Sequence, residues 1–403
     1  MFKRGIATFT LDYGKCPKWL FERMVKLGRE MARVIVAEYG PGEFVKRIAD
    51  PVWFQALGTV LAFDWNASGL TTILTAALKE AIRGEERDLG IFICGGKGKT
   101  SLKTPEQINL FGARAELSQE KINSLEYNSR MAAKVDSSLV QDGFQIYHHS
   151  FFFSQNGAWA VVQQGMNEKN VTARRYHWYS DDAKNMVIEP HSGIISDGKN
   201  AGLNMTARDS ENTQKISTEL VQGSYNTLMK DFQLLRKYST PQSDVISVGN
   251  LPPHQLLGIK NNKYYNLDEN WCGGVEMTKM HLHDRDFKVL PVITEDFTKS
   301  KYLQKILYEV NEIRPKNYEH LLSLKGVGPK TIRALALTAE VIYGAKASYE
   351  DPARYSFAHG GKDFIPYPVD RPTYDQTITV MRELASKMKI GYSEKNKIIS
   401  RLA

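Results

Sequence analysis

A chain of 403 residues with 42% hydrophobic and 10% aromatic side chains is long enough for two or three packed domains. It carries no apolar run of about 18 residues and no secretory leader, so membrane insertion and export are not expected and a cytoplasmic location is the default. Three scattered cysteines, Cys16, Cys94 and Cys272, exclude a disulfide framework, and the net charge of +8 permits a polyanionic partner, with 17 Lys and Arg against 11 Asp and Glu concentrated in residues 301–403.

In chain order, residues 17–83 read as helices: WLFERMVKLGREMARVIVAEYG is amphipathic, Gly40, Pro41 and Gly42 break it, and LTTILTAALKEAI forms a further helix. DLGIFIC predicts a short buried strand and GGKGKTSLKTP a loop. The loop is not a nucleotide-binding P-loop, because Ile93 stands where the first glycine of that motif is required. Lys97, Lys99 and Lys103 make it either a phosphate grip on nucleic acid or a solvated basic loop. Helix follows from PEQINLF to about residue 135.

GFQIYHHSFFFSQNGAWAVVQQ predicts a β-hairpin turning at Asn156-Gly157. A two-residue turn there would set His149 opposite Gln164 and Ser150 opposite Gln163, gathering His148, His149, Gln163 and Gln164 near Asp142, with Lys134 and Asp136 just upstream. Carboxylates, amides, a histidine and a lysine at strand ends are ingredients of metal-dependent phosphodiester cleavage. On that reading Lys134, Asp136, Asp142, Gln163 and Gln164 are catalytic candidates, and Asp136, Asp142 and His149 are candidate ligands for Mg²⁺ or Mn²⁺. Polar residues capping a sheet are the alternative.

ARRYHWY interleaves Arg174 and Arg175 with aromatics, which suits either nucleic-acid contact or a strand with a packed face. Residues 180–213 read as loops, 215–238 as helix and 241–297 as an irregular linker or excursion. Glu189 with His191, and His281, His283, Asp284 and Asp286, are further weak metal candidates.

In LLSLKGVGPKTIRALALTAEVIYG two helices flank a turn. Gly326 and Gly328 permit unusual backbone angles and close approach, Val327 can point back between the helices, and Pro329 suits a first helical position. Amides at that helix end, with Lys330, can hold a phosphate. The pattern resembles the helix-hairpin-helix motif of DNA repair proteins through Leu324, Gly326, Val327, Gly328, Lys330 and Thr331. Glycosylases with that motif put a Schiff-base lysine at the position matching Lys330, followed by an aspartate; PVDRP offers Asp370, but in an altered context at a longer interval.

The runs AFDWNASGLTT, CGGKGKTSLKTP, KVDSSLVQDGFQIY, WAVVQQGMN, ARRYHW and AHGGKD resemble an archaeal and bacterial family catalogued as domain of unknown function seven-six-three. Matched positions include Asp64, Ser68, Lys97, Lys134, Asp136, Asp142, Gln145, Gln163, Arg174, Arg175, His177, His359 and Lys362. The resemblance implies helix-hairpin-helix DNA binding and raises a nuclease role in DNA repair. The expected fold is α+β, with a mixed domain over residues 1–240 that contains an antiparallel hairpin and a mainly helical DNA-binding domain over 298–403. The expected function is backbone binding of DNA with little sequence specificity, through Gly326, Val327, Gly328, Lys330, Thr331, Lys97, Lys99, Arg174 and Arg175, coupled to metal-dependent cleavage. A DNA-structure binding protein without catalysis and a lyase using Lys330 and Asp370 are the alternatives, and a homodimer is left open.

Overall fold

The computed structural model describes residues 16–61, 68–168, 171–195, 202–238, 296–352, 371–389 and 391–401, with short strands at Val245–Ser247, Ile259–Lys260, Lys263–Tyr264 and Thr278–Met280. Asp64, His281, His283, Asp284, Asp286, His359, Lys362 and Asp370 lie outside the described residues.

Four helices open the chain: α1 (Lys18–Tyr39), α2 (Pro41–Ala49), α3 (Pro51–Val60) and α4 (Gly69–Ala81). Their boundaries follow local chemistry. Gly40, at φ +85°, ends α1, and Pro41 and Pro51 occupy first-turn positions where no amide hydrogen is needed. Asp50 Oδ1 caps α3 by accepting from the amides of Val52 and Trp53 at 2.8 and 3.2 Å. After α5 (Glu86–Leu89) come β1 (Ile91–Lys97), a 3₁₀ turn (Gly98–Lys103), α6 (Thr104–Arg114), α7 (Gln119–Ser138) and β2 (Val140–Gln141). The strands β3 (Gln145–Ser154), β4 (Trp159–Asn167), β5 (Thr172–Tyr179) and β6 (His191–Ile195) follow, and β7 (Leu203–Asn204) pairs with β2. Helices then dominate: α8 (Glu211–Gln222), α9 (Tyr225–Tyr238), α10 (Lys301–Ile313), α11 (Tyr318–Ser323), α12 (Pro329–Val341), α13 (Arg371–Lys387) and α14 (Tyr392–Arg401). The architecture is thus the expected mixed α+β region followed by a mainly helical one.

The main sheet runs β1-β3-β4-β5-β6, antiparallel throughout. Both of its faces are covered. Phe92, Cys94, Phe151, Phe153, Trp159 and Trp178 join one core with α6 to α12, while Ile91, Ile93, Phe152, Ala160 and Val162 join a second core with α1 to α4 and α13. Burial on both sides explains why these strands read as nearly continuous apolar runs rather than alternating ones. Helices α10 to α12 share a core with the sheet, whereas Met381, Leu384, Ala385 and Met388 belong to the opposite one. The span 298–403 therefore contributes to both cores.

Two local expectations are corrected. The glycine-rich stretch is not an open loop: β1 continues through Lys97 before the chain tightens into the 3₁₀ turn. The β3–β4 hairpin turns through three residues, not two, with Gly157 N bonded to Ser154 O and Ser154 N to Ala158 O, both at 2.9 Å. Gly157, at φ +92°, supplies the left-handed residue that such a turn requires. The register consequently moves by one, setting His149 opposite Gln163 and His148 opposite Gln164.

Candidate nucleic-acid interface

The turn between α11 and α12 joins two helices as expected, but only one of its two glycines takes a backbone angle closed to other residues. Gly326 has φ +86°, and a Cβ there would meet Ile306 Cδ1 at 2.2 Å. Gly328 is extended, at φ −148°, and a Cβ there meets nothing within 4 Å. One glycine is thus demanded by the fold, whereas the other keeps open ground in front of the backbone. Val327 and Thr331 are buried, Lys330 is half-buried and Lys325 is exposed. Pro329 begins α12, whose start carries no side-chain cap.

This turn is clamped by residues that sequence spacing assigns elsewhere. Lys134 Nζ, on α7, donates to Leu322 O at 2.6 Å and Leu324 O at 2.5 Å, so it caps the end of α11 and does not join the strand-end cluster. Burial, then the neighbouring Arg130, lowers its pKa to about 8. Gln141 Nε2 donates to Pro329 O at 2.9 Å, and Arg333 Nη1 to Gln141 Oε1 at 3.0 Å. Tyr127 OH donates to Glu319 at 2.6 Å. These partners are far apart in sequence, so no local spacing announces them.

The predicted catalytic cluster is divided between the two sheet faces, since neighbouring residues of a strand point to opposite sides. On the α7 side, Ser129 Oγ meets His149 Nε2 at 2.9 Å and His149 Nδ1 meets Gln163 Oε1 at 2.9 Å. Gln163 Nε2 donates to Asp136 Oδ2, Trp178 Nε1 donates to the same oxygen at 2.9 Å, and His191 Nε2 bonds Asp136 Oδ1. Asp142 accepts from Phe144 N at 3.1 Å, Arg174 Nη1 at 2.5 Å and Tyr176 OH at 2.9 Å, and Arg174 also reaches Asp351 at 2.7 Å. Burial lowers the proton affinity of Arg174, but Asp142, Tyr176 and Asp351 more than restore it and hold its pKa above the ordinary value. On the other face, Gln164 bonds Thr71, Ser68 O and Tyr147 OH, while Arg175 donates to Gln55 at 3.0 Å over the ring of Phe54.

Arg174 and Arg175 are therefore internal. Each is 0% exposed, and neither reaches the surface as a nucleic-acid contact. β5 lies between β4 and β6 and is covered on both faces, which is the packed-strand alternative taken further. Gln163 and Gln164 are likewise fully buried. Glu189 pairs with Arg208 at 3.1 Å.

The donor set does not fit a divalent ion in this arrangement. Both carboxylate oxygens of Asp136 and of Asp142, and both ring nitrogens of His149, already face protein partners. Among the described residues no three His, Cys, Asp or Glu side chains group as a metal site. Burial also lowers the pKa of His149, which keeps it neutral and suits the donor and acceptor roles of its two nitrogens. This network joins α7 to β3, β4, β5 and β6.

Lys97, at the end of β1, and Lys99, on the 3₁₀ turn, stand at the surface, with Lys97 Nζ 5.8 Å from the Tyr147 ring centroid. No helix among the described residues is long and apolar enough to cross a membrane. A family model described as "Protein of unknown function (DUF763)" matches residues 5–369. No curated protein and no solved structure matches the chain.

Proposed function

The chain belongs to that family, and we propose that it binds the sugar-phosphate backbone of DNA through the α11–α12 turn, as a helix-hairpin-helix element. The observation that carries this reading is the contrast between its glycines: Gly326 is enclosed by Ile306, whereas Gly328 fronts open space at the start of a 13-residue helix. A helix start without a side-chain cap attracts a phosphate, and the missing side chain lets it come close. Lys325 and Lys330 add positive charge beside it. Nothing in the turn reads bases, so binding should depend on salt more than on sequence.

Cleavage at Asp136 and Asp142 is not part of this proposal, because their oxygens are engaged with Gln163, Trp178, His191, Arg174 and Tyr176. DNA-structure binding without hydrolysis there is the function that the geometry supports best. Gly328→Leu tests it, since the new side chain meets no protein atom at its Cβ. Duplex affinity at fixed salt should fall at least tenfold, about 1.4 kcal/mol, with the circular dichroism spectrum unchanged. Undiminished affinity in the folded variant would remove the turn from the interface.

A further inference from the structure

The 3₁₀ turn Gly98–Lys103 is held more firmly than a solvated loop needs. Gly95, at φ +79°, has its side-chain space filled by His149 O at 2.2 Å and Thr104 Oγ1 at 2.5 Å from a built Cβ. Lys79 Nζ donates to Gly95 O at 2.8 Å, and Gln107 Oε1 accepts from Gly95 N at 2.8 Å. Within the turn, Ser101 Oγ donates to Gly98 O and Thr104 Oγ1 to Ser101 O, each at 2.6 Å. Residues three apart eclipse in a 3₁₀ helix, so three rows of side chains can be assigned. Half-buried Ser101 lies on the row that leads to buried Thr104, whereas 99 with 102 and 100 with 103 form the other two rows, all exposed, and exposed Lys97 precedes them at the end of β1.

The outward rows pair cations with one apolar tip. Leu102 is 80% exposed, although the turn beneath it is fixed by hydrogen bonds on its inner row. Exposed Lys97, Lys99 and Lys103 flank it along the chain, and no acidic residue occurs from Cys94 to Pro105. A lone leucine is too little apolar surface to hold a bilayer, which takes a broad apolar face or a second anchor. It is sufficient for nucleic acid, where a single aliphatic wedge can enter one base step while cations hold the phosphates beside it. Placement agrees. Lys97 is opposite His148 near the start of β3, and Gln141, which holds Pro329 O, precedes that strand by four residues, so knuckle and hairpin turn lie at the same end of the sheet.

We propose that this knuckle is a second DNA-binding element, in which Leu102 wedges into a weakened base step while Lys97, Lys99 and Lys103 hold the flanking phosphates. The substrate class implied is duplex DNA with a mismatch, nick or other poorly stacked step, and the inference rests on the DNA-binding reading above. The test uses the full chain with duplexes carrying 2-aminopurine beside a mismatch or in fully paired sequence. Wild type should raise the probe's fluorescence on the mismatched duplex at saturation. Leu102→Ala should lose most of that rise while keeping the salt dependence of binding, and the triple Lys97→Ala, Lys99→Ala, Lys103→Ala variant should lower the salt slope by about 0.9 for each phosphate it no longer neutralises. All four residues are exposed, so their replacement leaves the core intact.

A full rise in Leu102→Ala, or no rise with wild type, overturns the wedge. Leu102-dependent flotation with anionic vesicles, without any effect on DNA, overturns the choice of partner. The two DNA-binding elements fail separately: a silent Gly328→Leu with a responsive Leu102→Ala removes only the hairpin turn, and the reverse result removes only the knuckle.

Discussion

Lys134 shows how one side chain can look catalytic in sequence and be architectural in space. It stands two residues from Asp136 on α7, yet adjacent helical positions point in different directions, and only Asp136 faces the sheet. Lys134 points away and bonds the carbonyls of Leu322 and Leu324, so the height of the hairpin turn above α7 depends on it. Lys134→Met would leave those carbonyls without their donor, a loss of about 1–3 kcal/mol. The expected outcome is a lower denaturation midpoint together with weaker duplex binding, both largely recovered in Lys134→Arg, which can still donate to two carbonyls. Reduced binding that arginine does not restore at all would show that the ammonium itself touches DNA.

At the level of the element, α7 and the strands beneath it account for most of what sequence could and could not disclose. The helix, the paired strands and the glycine turn were legible because each rests on a local pattern: period, β-branching, or Gly-x-Gly-Pro at a helix start. The polar site was not, because its cross-strand partners hinged on a turn of three residues rather than two, which moved the pairing by one. Gln163 and Gln164, neighbours on one strand, lie on opposite faces in any register, and the arginines of β5 proved internal because coverage of both sheet faces by distant helices leaves no mark in ARRYHWY itself. His191 and Asp351, which complete the two carboxylate networks, lie 55 and 177 residues from the partners they bond. The resulting network predicts the effect of Asp136→Asn. Three N–H groups converge on that carboxylate, and an amide would turn one acceptor into a fourth donor. Unfolding free energy should drop by about 1–3 kcal/mol for each stranded group, measured by urea titration. A stability equal to wild type would mean that the carboxylate is held for something other than joining α7 to the sheet.

For the whole molecule, the decisive feature is that the two layers on the sheet are not two consecutive stretches of chain. Helices α1 to α4 cover one face together with Met381, Leu384, Ala385 and Met388 of the far C-terminal region, and Lys387 and Glu383 bond Glu38 and Tyr39 at the end of α1. Leu384→Ala should therefore destabilise the protein by about 2–5 kcal/mol, with faster amide exchange in α1 than in α12. Equal exchange in both would indicate that the two layers open as one unit. The same arrangement has a consequence during synthesis. The apolar stripe of α1 packs on α2 and α4 soon after leaving the ribosome, but its last neighbours, in α13, follow roughly 350 residues later, which at about 5–20 residues per second is on the order of 20–70 s. Throughout that interval the nascent chain carries an unsatisfied greasy surface, so yield in cells should depend on holding chaperones far more than the stability of the finished fold would suggest.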